Sequence, residues 1–293
     1  MNRLSREKQI EVVKALVEGN SINATVRMAG VAKNTILKLL VELGEACQSY
    51  HDANVRNVTS KRVQCDEIWN FVAKKDRACT MEERSMTGIG STWTWVAIDA
   101  DSKLVLSYLV GGRDGEYAYA FMQDVADRLA NRVQLTTDAH GVYLQAVRES
   151  FGEAIDYAML IKKYGKGQDG PETRYSPAIC TGIEKKPKIG NPNYDEISTS
   201  LIERQNLTMR MSMRRFTRLT NGYSKKIENL EAAVALHYMF YNYIRVHQTL
   251  GTTPAVSAGL TDKVWSFEDL ISMFESFQFE RKIAAPKKKK ANR

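Results

Sequence analysis

Hydrophobic positions recur at helical spacing through the start of the chain and change to an extended period after residue 62. Ile10, Val13, Leu16 and Val17 share one face of a predicted helix from Ser5 to Glu18, with Ser5 placed to cap it and Gly19-Asn20 to stop it. A second, shorter helix holds Ala24, Val26 and Met28, opens at Ser21 or Asn23 and ends at Gly30. A third covers residues 32–46, with Ile36, Leu39, Leu40 and Leu43 along one side. Helix, short helix, glycine turn and longer helix is the order of a helix-turn-helix, whose last helix lies in the major groove with its first residues at base edges. Lys33, Asn34, Thr35 and Lys38 would be those residues. A small three-helix bundle used for packing or dimerisation has the same periodicity.

Residues 48–62 are polar and read as a linker. Strands follow over 63–72, 92–99 and 103–110, the last two joined by the turn Ala100-Asp101-Ser102, so three antiparallel strands are expected. Gly111-Gly112 ends that run. Asp114 opens a helix with Tyr117, Phe121, Val125 and Leu129 on its apolar face. A brief strand over 133–137, a helix over 141–151 and a further strand near 155–161 complete a mixed α/β sheet flanked by helices. Residues 165–194 hold four of the six prolines and read as an irregular insertion. Helical spacing returns from Ile197, and a helix from Glu228 to Arg245 stacks Leu230, Val234, Tyr238 and Tyr241 as core.

Charge changes the picture. Forty-two Lys+Arg against 34 Asp+Glu leave a net +8, which favours a polyanionic partner. Cys47, Cys65, Cys79 and Cys180 form no Cys-x-x-Cys pair, so neither a zinc site nor a disulfide framework is supported, and a reducing compartment is expected. No apolar run reaches membrane-spanning length, so the expectation is a soluble, cytoplasmic protein associated with the nucleoid.

Asp66 and Glu67 stand inside the apolar run 63–72, where a carboxylate is costly without a cation. Successive strand side chains point to opposite faces, so only one of them should serve a cleft, and Asp66 is assigned to it. Asp138 directly follows the fourth strand, a position from which it can converge with Asp66. On the helix beginning near Ser200, Glu203, Arg210 and Arg214 recur at helical intervals beside an apolar stripe of Ile202, Met209 and Met213. Hard divalent cations take such oxygen ligands, and two of them about 4 Å apart can serve an in-line phosphoryl displacement. The arginines would grip phosphates.

The motifs Asp66-Glu-Ile-Trp with Phe71-Val, Trp95-Val-Ala-Ile-Asp99, Thr137-Asp138 with Gly141 and Tyr143, and Glu203-Arg-x-Asn with its arginine-rich continuation carry a resemblance. The chain resembles the transposases of bacterial and archaeal insertion sequences, nearest to the insertion-sequence-one family. The resemblance implies a ribonuclease H-like catalytic domain, metal ligation and catalysis by Asp66, Asp138 and Glu203, and two Mg²⁺ or Mn²⁺ ions. It also implies strand cleavage and transfer on double-stranded DNA with no covalent protein intermediate, by a homo-oligomer that is at least a dimer on DNA. Family members with an N-terminal zinc module use clustered cysteines that this chain lacks, which leaves end recognition to the helix-turn-helix. The expected organisation is residues 1–47 for DNA binding, 48–62 as linker, 63–250 as catalytic domain and 251–293 as extension with a basic tail. Arg214-Arg215 and Lys225-Lys226 would track a DNA backbone, as would Arg210. His140 is a candidate for orienting water or meeting the scissile phosphate, and Asp99 reads as a turn residue. A non-catalytic DNA-binding regulator and a plain metal-dependent nuclease are the competing readings.

Overall fold

The computed structural model describes residues 4–84, 86, 88–165, 179–217 and 220–284. They fall into two compact units, Val55–Thr208 and the pair of segments Met1–Asn54 and Met209–Arg293.

In the discontinuous unit, Ser5 and Ser21 cap the first two helices, α1 (Arg6–Val17) and α2 (Ile22–Ala29), by accepting from the amides of Lys8 and Ala24. Gly30 then takes a left-handed turn, φ +64°, that an L side chain resists. Helix α3 (Lys33–Asn54) runs through the first half of the expected linker, because Cys47 and His51 continue the buried stripe of Leu40 and Leu43. The periodicity there passes through polar residues, which hid it. Other helices of this unit follow later in the chain: α8 (Ile227–Met239), the short α9 (Pro254–Ser257) and α10 (Phe267–Ala284). α8 lies along α3, and a Cβ on Gly44 would stand 2.8 Å from the Ala232 carbonyl oxygen, so only glycine permits this approach. Leu230, Val234, Tyr238 and Tyr241 are buried, as core tyrosines should be; beyond Met239 the helix widens to a π turn over Phe240–Ile244.

The unit Val55–Thr208 is built on a six-stranded mixed sheet in the order β3-β2-β1-β4-β5-β6. Its strands are β1 (Arg62–Val72), β2 (Gly90–Asp99), β3 (Val105–Gly111), β4 (Gln134–Thr137), β5 (Asp156–Tyr164) and β6 (Cys180–Ile189). A one-turn helix, α4 (Met81–Arg84), precedes β2. β1, β2 and β3 form the expected antiparallel meander, while β4 joins β1 and β5 in parallel. Helices α5 (Gly115–Arg128) and α6 (Val142–Phe151) connect the strands and pack together, burying Phe121, Val125 and Val147. This is the expected mixed α/β sheet flanked by helices and preceded in sequence by an all-α segment.

Two further expectations are corrected. Part of the irregular insertion 165–194 is regular: β6 pairs antiparallel with β5, its Pro187 standing beside a register shift that spares the missing donor. Residues 166–178 lie outside the described residues, as does the basic tail from 285 onward. The compact units part after Asn54 and Thr208, so residues 209–250 belong with the N-terminal helices and not with the sheet.

Candidate active site

β4 covers only the start of β1: Arg62, Val63, Gln64 and Cys65 pair with Gln134, Leu135, Thr136 and Thr137, and there β4 ends. Asp66 and Asp138 are the next residues on each strand, so the register itself sets them side by side at a free strand edge. β1 keeps its register with β2 through Asp66 and Glu67, so their Cβ atoms still alternate, but the carboxylate ends do not divide between two faces as expected. One oxygen from each of Asp66, Glu67 and Asp138 lies within 4.8 Å of the others. Past the end of β4 the edge of β1 is open, and the Asp66 carboxyl folds back along it to accept from the Glu67 amide at 2.9 Å. Both neighbours in sequence therefore reach Asp138.

Burial, then the charges of Asp138 and Glu67, push the Asp66 carboxyl up to about 7. Glu67 is also held above the usual carboxylate range, first by burial and then by Asp138, although Arg113 and Tyr143 oppose this. The Glu67 side chain is fully buried; Oε2 accepts from Arg113 at 3.0 and 3.2 Å, while Oε1 and the facing Tyr143 hydroxyl miss hydrogen-bond geometry and stay unpartnered. Arg113 also stands 4.0 Å from Asp138 and stacks on Trp93, 4.4 Å from the ring centre.

Helix α7 (Ser200–Ser212) brings the third carboxylate. Its first amides, those of Leu201 and Ile202, donate to Gln64 Oε1 at 2.9 and 3.1 Å, which pins the helix start to β1. Glu203 follows, but it does not join the cluster. Lys162 on β5 meets both of its oxygens, and Thr199 Oγ1 donates to one at 2.5 Å. One turn later Asn206 Nδ2 donates to Asp66 Oδ2 at 2.9 Å, and the Glu203 charge is felt at Asp66. The structure thus brings Asp66 and Asp138 together with Glu67 and leaves Glu203 beside them, engaged elsewhere.

A carboxylate cluster in which Glu67 is buried with an unpartnered oxygen, Asp66 is strongly raised and Asp138 is open to solvent is short of positive charge, and its all-oxygen donor set fits a hard divalent cation. His140 is less available. Its amide donates to Asp138 at 2.9 Å, its ring stacks 6.3 Å from Trp95, and burial, followed by the Arg113 charge, lowers its basicity. Asp99 closes its turn by accepting from Ser60 Oγ at 2.6 Å and the Ser102 amide at 2.9 Å.

Lys33, Asn34, Thr35 and Lys38 are exposed at the start of α3, and Lys225 and Lys226 are exposed before α8. Arg210 is half-buried on α7. Arg214 is exposed but sits in a 3₁₀ turn after α7 has ended, so its helical spacing from Glu203 is coincidental. Arg215 turns inward: Nε donates to Ser224 at 2.8 Å and burial draws the guanidinium down to about 10. Sequence reasoning missed Arg113 and Lys162, whose neighbours give no periodic signal. Asn206 was in view as the end of Glu203-Arg-x-Asn, one helical turn from the glutamate.

No family model matches the chain, and no curated protein is detectably similar to it in sequence. Among solved structures, a synaptic complex of the piggyBac transposase is similar over 98% of this chain and 75% of that one, at 11% identity and a TM-score of 0.41. A simian T-cell lymphotropic virus intasome with a PP2A regulatory subunit covers 80% and 69%, at 14% and 0.38. The Mos1 mariner paired-end complex with Mn covers 52% and 58%, at 14% and 0.22. Among the described residues no helix is long and apolar enough to cross a membrane.

Proposed function

We propose that this protein is a DNA transposase of the Asp-Asp-Glu type, nearest in its motifs to the insertion-sequence-one family, which cleaves and transfers strands at element ends. The observation that supports this most is the register that sets Asp66, within β1, beside Asp138 at the end of β4, with α7 and its Glu203 pinned beside them. Asp66 and Asp138, with Glu203, would hold two Mg²⁺ or Mn²⁺ ions. Bound there, divalent cations would activate the attacking oxygen and stabilise the leaving one in an in-line displacement.

The chain's own side chains do the rest. Gln64 fixes the start of α7, and Asn206 orients the Asp66 carboxylate. Within the cluster Arg113 neutralises Glu67, so that the charge left for substrate and cation is carried by Asp66, Asp138 and Glu203. Lys33, Asn34, Thr35 and Lys38 read base edges in the major groove, while Arg210, Arg214, Lys225 and Lys226 follow the phosphate backbone. Arg215, turned inward, serves structure in this state. The protein works as a dimer or larger homo-oligomer on double-stranded DNA in the nucleoid.

With Mg²⁺ or Mn²⁺, purified protein is expected to nick and join DNA carrying the inverted repeats that flank its own reading frame. Asp66→Asn, Asp138→Asn or Glu203→Gln should each remove at least about a thousandfold of that activity, roughly 4 kcal/mol of barrier, and leave DNA binding intact. Undiminished activity in the triple variant rejects the assignment. Binding without cleavage by the unmutated protein selects the regulator, and cleavage without joining selects the nuclease.

A further inference from the structure

Two basic side chains stand in the acidic cleft, and they are held differently. Arg113 grips a glutamate whose side chain is 0% exposed. Withdrawing it would leave a buried charge unmatched, so this pair does not exchange. Lys162 and Glu203 meet where their side chains are 27% and 41% exposed. Ion pairs that open to water are worth little and exchange readily for a better partner.

Position adds to the contrast. β4 pairs with β5 only as far as Met159, so Lys162, three residues on, stands beyond the end of β4, on the same side as Asp138. Burial works against the Lys162 charge, but Glu203 outweighs it and holds the ammonium above its ordinary range. Without Lys162, Glu203 would add its full charge to a cluster in which Asp66 and Glu67 are already pushed up, first by burial and then by neighbouring carboxylates. A divalent cation binds carboxylates more strongly than one ammonium does, and an ammonium released from a carboxylate has in phosphate oxygens an acceptor of equal kind.

Building on the metal-binding reading of the cleft given above, we propose that Lys162 is a positioning residue that exchanges partners. It holds Glu203 away from Asp66 and Asp138 in the free protein. As Glu203 turns to the cation, Lys162 passes to a phosphate of the DNA backbone. Cation and DNA then assist one another's binding, and linkage requires the assistance to be mutual. Lys162→Met removes the competitor for Glu203 and also the phosphate contact, whereas Lys162→Arg keeps both.

The test is a Mn²⁺ titration followed by the rise in Tm, with and without a blunt linear DNA duplex, on full-length protein. The unmutated protein should reach half-saturation at a several-fold lower Mn²⁺ concentration when duplex is present. Lys162→Met should already show the lower midpoint without duplex and gain nothing further from it, and Lys162→Arg should behave like the unmutated chain. Lys162→Gln provides the same reading if the methionine variant does not fold. A midpoint in Lys162→Met that equals or exceeds the unmutated one without duplex overturns the proposal. Asp66→Asn separates the two levels. If it abolishes the Mn²⁺ effect while Lys162→Met changes nothing, only the role of Lys162 falls; if it responds to Mn²⁺ like the unmutated chain, the metal-binding reading falls, and the exchange with it.

Discussion

In the sheet unit, Asp66, Glu67 and Asp138 crowd together at a strand edge, with Arg113, Asn206 and a backbone amide supplying part of the positive character they need. In the helical unit, His237 is more deeply buried than Asp66 or Asp138, neither of its ring nitrogens has a partner, and burial, followed by the Arg245 charge, lowers it to about 3. The first set keeps its charge poised against incoming cations. The second gives up its charge altogether. A group that stays ionisable beside incomplete partners is equipped to bind something, whereas a group silenced by burial contributes only to packing.

The helical unit is held together in part by the close approach of α3 and α8, and the largest predicted effect breaks it. Gly44→Leu must push a side chain into the Ala232 backbone, which no rotamer avoids. It should cost about 4 kcal/mol or more and abolish cooperative unfolding of the helical unit, with far less change at the sheet. Circular dichroism and proteolysis of the two units would check this; a Tm unchanged within about a degree would mean that the helices separate at little cost.

Removing the strain at the other centre should do the opposite. Asp66→Asn takes away a carboxylate that burial and like charges destabilise, while an amide can keep the contact with Asn206. In EDTA at pH 8 the variant should be more stable than the unmutated chain by about 3 kcal/mol, with activity lost, as is common where function is maintained against stability. Denaturant unfolding measures it. A destabilised variant would show that the cluster is already neutralised from within.

The contrast between the units was only partly legible in the chain. Alternating and helical periods marked all the sheet strands up to β5 within a few residues, as well as the core tyrosines Tyr238 and Tyr241, since burial of one face is a local property. Asp66 was visible because it interrupts an apolar run, and Asp138 because it directly follows a strand. Glu67 was set aside by strand parity, which fixes where successive Cβ atoms point but not where the far ends of the carboxylate side chains reach. Lys162 and Arg113 act through space, from β5 and from the loop after β3, and nothing in their own segments marks them. The partition of residues 209–250 among the helices depends on long-range packing that periodicity cannot express.

The smallest effect predicted separates the two centres by pH. His237 is held near 3 in the fold, below its unfolded value of 6.5, through burial first and the Arg245 charge second. Below 6.5 the unfolded chain takes up a proton that the folded chain refuses, so stability is complete above that pH and declines as pH falls toward 3. Between pH 7 and pH 5 the loss from this one residue should be about 2 kcal/mol. His237→Leu, which keeps an apolar group of similar size in the same shell, should flatten that part of the profile. Tm measured at pH 5, 6 and 7 for both proteins provides the check. Parallel curves would mean that His237 finds a partner or water on protonation, and the helical interior would then resemble the cleft more than its packing implies.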